Sequence, residues 1–297
     1  MRDGELGVTD EVAARLIAQR FPELAGLPLR RLRTAATVNT IVRIGDDHVA
    51  RFPLVGESEQ RLRAEAAAMV EFADASPVVA PVPAGVGAAS EDFDSAWSVQ
   101  TWVAGDPVGP VTHESSDDFA RDVVGVVSAL RAVPRRGRVF DGRGRGGRLR
   151  DHDDWVEHCL GQSTRLVDVG RVRRLWRALR DLPTAGPDVM SHLDLTPFNL
   201  LSAGDRLAGV LDTGGFGPAD PALDLVAAWH LFDADRRDIV RDGLGADAVA
   251  WRRGAAWALQ QAMGLVWYYV ESNPTMSGLG LSTVGRLLSD EELAALR

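Results

Sequence analysis

The chain has 297 residues, 45% of them hydrophobic, and a formal net charge of −9. That supports a sizeable core in two lobes or domains, argues against nucleic acid as the main partner, and suits a cationic small substrate or a metal–nucleotide complex. The lone Cys159 excludes an intrachain disulfide and reads as a buried small residue. There is no lysine, so a GxxxxGK[ST] phosphate loop is impossible and any phosphate-gripping cation must be arginine. The start MRDGELGVTDEVAARL lacks the apolar core of a signal peptide, and no apolar run approaches the roughly 18 residues of a membrane span. The expectation is a cytoplasmic chain with no membrane and no nucleic-acid partner, a monomer or homodimer.

In chain order, Thr9 or Asp10 caps a first helix with Val12, Leu16, Ile17 and Phe21 on one face, ended by Pro22. Three short β-prone runs follow, LRRLRTAA, VNTIVRI and HVARF, separated by turn residues. They predict an antiparallel start to a sheet. Arg51 sits on the third run. A helix over 57–73 buries Leu62, Met69 and Phe72, and Glu65 falls near the same face. A carboxylate facing inward wants a cation, and Arg51 is the nearest candidate; the plain alternative is two surface charges. The Pro-rich stretch SPVVAPVPAGVG leads into a strand over 97–103, broken at Gly105-Asp106-Pro107.

Beyond this point the pattern is mainly helical. Ser115/Ser116 and Asp117/Asp118 start a helix carrying Phe119, Val123, Val126, Val127 and Leu130. The basic glycine stretch RRGRVFDGRGRGGRLR over 135–150 reads as a solvated loop or lid, with an RGG-like nucleic-acid segment as the weaker alternative. The next helix carries Asp153, Asp154 and Glu157, which could meet a cationic acceptor or form a solvated acidic face. Val172, Leu175, Trp176 and Leu179 stripe another helix.

The informative stretch is SHLDLTPFNLLSAGDRLAGVLDTGGFGPADPALDL, residues 191–225. Two apolar runs flank the turn Ala203-Gly204-Asp205, which predicts a β-hairpin. Its symmetry puts Asn199 and Asp212 side by side at the open end. Asp194 lies five residues before Asn199 on a loop that Pro197 keeps out of a helix. One amide and two carboxylates then converge, the oxygen-rich set that Mg²⁺ prefers. Phosphoryl transfer needs such a set: a carboxylate to orient a hydroxyl, and oxygen ligands to hold metal ions on nucleotide phosphates. After it, Asp220-Pro221 reads as a helix start, Asp235 or Asp238 opens another helix, and a long Ala-rich helix runs over 247–271. The histidines show no HxH or HExxH pairing, which argues against a zinc hydrolase.

The spacing HxDx₄N…LD resembles the catalytic and metal loops of the aminoglycoside phosphotransferase family, relatives of the protein kinases. This copy departs from the pattern at Leu193, where HGD is usual, at Phe198, and at Thr213 after the metal carboxylate. The resemblance covers roughly residues 25–285. It implies an α+β, two-lobed protein-kinase-like fold: a small antiparallel-sheet lobe over 1–103 with one key helix, and a larger helical lobe over 104–297. It implies Asp194 as catalytic base, Asn199 and Asp212 as Mg²⁺ ligands, and His192 and Asp224 as structural support. Arg51, paired with Glu65, would grip the phosphates of ATP or GTP in place of the usual lysine. Thr37 and Asn39 stand where kinases place a glycine-rich phosphate loop, here without glycines. Gln100, Trp102 and Val103 fall on the hinge strand, whose backbone reads the purine. Asp153, Asp154, Glu157, Trp229, Asp233 and Tyr268 are candidates for the acceptor site. The implied activity is transfer of a γ-phosphate to a hydroxyl of an antibiotic: aminoglycoside, macrolide, nucleoside or peptide. A kinase of a metabolic alcohol, choline- or homoserine-like, and a non-catalytic nucleotide-binding regulator remain alternatives.

Overall fold

The computed structural model describes residues 6–32 and 38–296. The chain separates into two compact units, one of Met1–Asp74, Val79–Ala104 and Leu211–Gly215, the other of Ala75–Val78, Gly105–Val210 and Phe216–Arg297. The fold is α+β, with an antiparallel sheet in the first unit and mainly helices in the second.

In the first unit, α1 (Asp10–Arg20) starts where the Thr9 hydroxyl accepts from the Val12 N–H at 3.3 Å, and it buries Ala13, Leu16 and Ile17. The strands β1 (Leu29–Leu32), β2 (Asn39–Ile44), β3 (His48–Pro53), β4 (Pro83–Gly87) and β5 (Trp97–Thr101) make one sheet in the order β1-β2-β3-β5-β4. Every neighbour is antiparallel. Residues 33–37, the end of the first β-prone run, lie outside the described residues, and with them Thr37. An aromatic cluster fills the sheet's core: Phe52 stacks on Trp97 at 5.0 Å, with Phe21 and Phe93 edge-on. Gly87 is required there, since a Cβ would lie 2.2 Å from the Trp97 indole. Between β3 and β4 runs α2 (Glu59–Ala75), which buries Leu62, Met69 and Phe72. It begins and ends two residues later than the pattern suggests.

The second unit starts with β6 (Asp106–Pro107) and α3 (Asp117–Ala132), capped by the Ser116 hydroxyl. There follow α4 (Asp153–Gln162), α5 (Val169–Leu179), β7 (Val189–Ser191), and the hairpin of β8 (Leu200–Ala203) and β9 (Arg206–Val210). Gly204 turns the hairpin with φ +58°, the left-handed region that glycine enters freely. Next come β10 (Gly217–Ala219), α6 (Val226–Leu231), α7 (Ala234–Gly243), α8 (Ala248–Tyr268), α9 (Pro274–Ser289) and the short α10 (Glu291–Ala294). β7 pairs with β10, and β6 adds to the hairpin through β8. The four stripe residues of α5 are all buried.

Two expectations need correction here. Asp233, not Asp235 or Asp238, caps α7, its carboxylate accepting from the Arg236 N–H at 3.1 Å. Asp220 accepts the Ala222 N–H through Oδ1 at 2.9 Å, as a cap would, but only a single turn, Leu223–Leu225, follows before α6, and Oδ2 is buried against Arg253. The sequence also gives no warning of α9, whose TMSGLGLSTV run is rich in poor helix formers. Packing supplies the helix: Asn273 caps it, Pro274 is its first residue, and Gly280 lies so close to α8 that a Cβ would meet the Ala262 O and Val266 N at 2.8 Å. Among the described residues no helix is long and apolar enough to cross a membrane.

Candidate active site

Asp194 sits on a braced loop. β7 ends at Ser191, whose hydroxyl donates to Asp224 Oδ1 at 2.8 Å, while the His192 N–H donates to Asp224 Oδ2 at 3.1 Å. Asp224 is 3% exposed, so both carboxylate oxygens act as fixed acceptors beneath the loop. His192, also buried, accepts the Asp194 N–H at Nδ1 (3.2 Å). Leu193 between them has φ +72°, a left-handed conformation that strains a leucine by about 1–2 kcal/mol. The loop's form, not a glycine, holds it there.

Four groups then meet in the second unit. Asn199, at the end of a single turn opened by Pro197, donates through Nδ2 to the Asp194 backbone O (2.8 Å) and to Asp194 Oδ2 (3.2 Å). Asp194 Oδ1 accepts from Arg145 Nη2 and from Gln261 Nε2, each at 2.6 Å. The Asp194 side chain keeps 40% of its exposure. The structure brings Asp194 and Asn199 together as the spacing predicts, and adds Arg145 and Gln261, which the sequence did not point to. Arg145 belongs to the basic glycine stretch read as a solvated loop or lid, and the end of that stretch is built into the fold. Leu149 is buried, and the Gly146 O accepts the Asp220 N–H at 2.8 Å. Gly146 has φ +120°, and a Cβ there would meet the Ala219 Cβ at 2.8 Å. Two adjacent glycines in an arginine-rich run were the only sequence signal of a close approach.

In the first unit, Arg51 on β3 donates from Nη2 to Asp212 Oδ1 at 2.9 Å. Asp212 follows β9 with φ +55°, a turn that aspartate tolerates better than most residues. The expected Arg51–Glu65 pair is therefore replaced: Arg51 bonds Asp212, and Glu65 is bonded by Arg61 at 3.2 Å, one helical turn away. Glu65 still borders the same concave surface as Arg51, together with Asn39, Gln100 and Gly214. The backbone passes close there, with the position of a Gly214 Cβ 3.2 Å from that of Glu65. Gln100 and Val103 are buried. The Trp102 N–H bonds the Asp47 O at 2.7 Å, and the Arg43 guanidinium stacks 4.5 Å from its ring.

The acceptor candidates do not gather into one set. Trp229 is fully buried between Arg237 and Trp251, which makes it core and unable to meet a substrate. Asp153 ties α4 to α5, accepting from Trp176 Nε1 (2.8 Å) and Arg180 Nη1 (2.7 Å). Glu157 takes a two-pronged bond from Arg173. Asp233 is occupied as a helix cap. Asp154 stands outside these pairs, on the exposed face of α4. Tyr268 is 41% exposed and edge-on to Trp267 and Tyr269.

Among the described residues no three or more His, Cys, Asp or Glu cluster to hold a metal. The donor types of Asn199 and Asp212 nevertheless fit Mg²⁺. Both offer hard oxygens, and Asn199 spends its nitrogen on Asp194, which leaves its carbonyl oxygen for a cation. Mg²⁺ bound with nucleotide takes only one or two protein ligands and fills the rest with water and phosphate oxygens.

No curated protein matches the chain. Solved structures do. The GDP and kanamycin complex of APH(2")-IIia superposes with a TM-score of 0.65 at 16% identity, covering 95% of this chain and 98% of that one. A macrolide 2'-phosphotransferase, MphH, from Brachybacterium faecium gives 0.60 at 18% identity, with 93% and 98% covered. ADP-bound aminoglycoside phosphotransferase APH(2'')-Ib gives 0.54 at 14% identity, with 90% and 96% covered. At such identities these likenesses speak for a shared kinase-like fold. The family model described as "Phosphotransferase enzyme family" matches residues 31–257, the span that holds Arg51, Asp194, Asn199 and Asp212. The chain belongs to that phosphotransferase family.

Proposed function

We propose that the chain transfers the γ-phosphoryl group of ATP or GTP to a hydroxyl of a small molecule, with an antibiotic as first candidate. The observation that carries the reading is Asp194. It is a half-exposed carboxylate on a loop braced from beneath by Asp224 and bonded by the amide of Asn199. Family membership supports the reaction class, and the kanamycin complex and the macrolide 2'-phosphotransferase support hydroxylated antibiotics as acceptors.

In this mechanism Asp194 aligns the acceptor hydroxyl and takes its proton as that oxygen bonds phosphorus. The bond from phosphorus to the β,γ-bridging oxygen breaks, and the nucleoside diphosphate leaves. Arg51 grips the nucleotide phosphates as a two-pronged donor, so bound nucleotide competes with Asp212 for the guanidinium. Asn199 and Asp212 would hold Mg²⁺, which when bound screens the phosphate charge. Arg145 offsets the charge of Asp194 before the acceptor arrives. Orientation and fixed charge supply most of the rate. Because Asp153, Glu157 and Asp233 already have bonding partners, a polycationic aminoglycoside meets less free negative charge than the sequence suggests, which raises the standing of macrolides.

The test is nucleotide consumption by the purified chain across a panel of antibiotics and simple alcohols, run beside Asp194→Ala. The expected result is acceptor-dependent release of nucleoside diphosphate that the variant lowers by about 100-fold or more while still binding nucleotide. Wild-type turnover in the variant would remove Asp194 from this role.

A further inference from the structure

We propose that Gln261 is a positioning residue for Asp194, set by a buried hydrogen-bond chain Thr283–His230–Gln261, so that Oδ1 is held and Oδ2 receives the acceptor's proton. The inference rests on the phosphotransfer reading above, since it concerns how the same carboxylate is aimed.

Three helices carry the chain. Thr283 on α9 lies with Oγ1 2.8 Å from His230 Nδ1, and His230 on α6 has Nε2 3.1 Å from Gln261 Oε1. Gln261 on α8 reaches Asp194 Oδ1 with Nε2 at 2.6 Å. Thr283 and His230 are 0% exposed and Gln261 8%, so no solvent is at hand to satisfy a misplaced donor. Under that condition each link fixes the next. An ionised carboxylate only accepts, so the NH₂ end of Gln261 faces Asp194 and the carbonyl end faces His230. A carbonyl also only accepts, so the proton of the imidazole is on Nε2. In a neutral ring Nδ1 is then bare and accepts from the Thr283 hydroxyl.

Burial keeps the ring neutral, holding its pKa down to about 4 from 6.5. The charged groups that act on it pull in opposite directions: Asp194 favours the imidazolium, Arg145 and Arg286 oppose it. Arg286 also donates to the His230 O at 2.8 Å, pinning the end of α6. A flipped amide would set its NH₂ against the Nε2–H and its carbonyl against the Asp194 carboxylate, and the other tautomer would set a bare Nε2 against the Gln261 carbonyl, each costing about 1–3 kcal/mol per unsatisfied group.

The consequence falls on the two oxygens of Asp194. Oδ1 takes two short, straight-chain donors, Arg145 and Gln261, while Oδ2 takes one longer bond from Asn199. Oδ2 keeps the lone-pair capacity for an incoming hydroxyl, and Gln261 fixes the plane in which it is presented.

The deciding measurement is ¹⁵N NMR of the imidazoles in the intact wild-type chain at neutral pH, with His230→Gln to assign the signal. The expected species is neutral with hydrogen on Nε2; an Nδ1–H ring, or a charged one, overturns the proposal. In parallel, Gln261→Met should lower kcat for GTP or ATP hydrolysis, and for transfer to whichever acceptor the panel yields, by about 10- to 100-fold with KM for nucleotide unchanged. Wild-type kcat in a folded Gln261→Met overturns it too. Should that variant be unstable, Thr283→Val, which does not touch Asp194, is expected to lower kcat in the same direction, and full turnover there refutes the chain. Failure of the phosphotransfer reading would show separately, as undiminished turnover in Asp194→Ala, whatever the tautomer.

Discussion

Arg253→Met is expected to destabilise the second unit severely and to loosen the segment that carries Arg145. Both side chains of the Arg253–Asp220 pair are 2% exposed. Arg253 donates from Nε to Asp220 Oδ2 at 2.8 Å, and from Nη1 to the Leu182 O (2.7 Å) and Pro183 O (3.1 Å). Its Nη2 bonds the same Asp220 oxygen and reaches the Gly147 O at 3.4 Å. Trp257 Nε1 also donates to Asp220, at 3.1 Å. Removing the guanidinium leaves the buried Asp220 carboxylate without its counter-charge, held by the Ala222 N–H and the Trp257 indole, and takes the donor from the Leu182, Pro183 and Gly147 carbonyls. Breaking a buried pair from one side costs about 3–5 kcal/mol. For a unit of this size each kcal/mol shifts Tm by about 2–4 °C, so the fall should be about 6–20 °C.

Thermal and urea unfolding followed by circular dichroism measure it, with trypsin cleavage at the arginines of 135–150 as a local readout. Combining Arg253→Met with Asp220→Asn removes the stranded charge, so the double variant should recover part of the loss instead of adding to it. A single-variant cost under about 1 kcal/mol, or strict additivity, would refute the account, because the low value for exposed pairs would then apply to a pair that excludes water.

Arg145→Ala should lower kcat by about 100-fold with little change in nucleotide affinity, and Arg145→Lys should recover only part, since a point charge cannot keep the same reach to Oδ1; steady-state kinetics decide it. Asp212→Ala should abolish the Mg²⁺ dependence of nucleotide binding by calorimetry, an unchanged Mg²⁺ effect removing Asp212 from the metal site. For His230 the folded pKa of about 4 lies below the ordinary 6.5, so between these values the unfolded chain binds more protons. Stability should fall as pH drops from about 6.5 to 4, by about 3 kcal/mol from this group, with His113 and His152, lowered mainly by burial, adding in the same direction. Urea titrations across that range should show a flatter acid limb in His230→Gln.

What could be read in advance was what repeats along the chain. Helix stripes, caps and the hairpin turn obey local rules, and the buried faces of α2, α3 and α5 fall on the residues the periodicity marks. The acidic motif was legible for the same reason: His192, Asp194 and Asn199 are near in sequence, and their mutual bonds span no more than five residues. Arg145 and Gln261 reach Asp194 across 49 and 67 residues, and no local pattern tells an arginine in a basic glycine run that its partner is there. The Arg51–Glu65 expectation failed differently. Glu65 is not the inward carboxylate the helix stripe suggests: its side chain keeps 38% of its exposure and pairs with Arg61, one helical turn before it, as a surface charge would.

The absence of lysine links these observations. A lysine can be held neutral when buried, whereas an arginine is charged everywhere, so each arginine taken from solvent needs a carboxylate or carbonyl facing it. Arg51 has Asp212, Arg145 has Asp194, and Arg253 has Asp220 with two backbone oxygens. Two of those three carboxylates are the ones proposed to hold the metal and take the proton. On the proposed reading, nucleotide phosphate must draw the Arg51 fork away from Asp212, whereas Arg145 stays on Asp194 Oδ1 while Oδ2 takes the acceptor. On that logic activity should depend steeply on ionic strength, since partly exposed pairs are screened and released by salt whereas Arg253–Asp220 is not. Raising salt at fixed nucleotide should change KM well before it changes Tm, and parallel changes in both would argue that the arginine pairs are one structural network and not a set of gates.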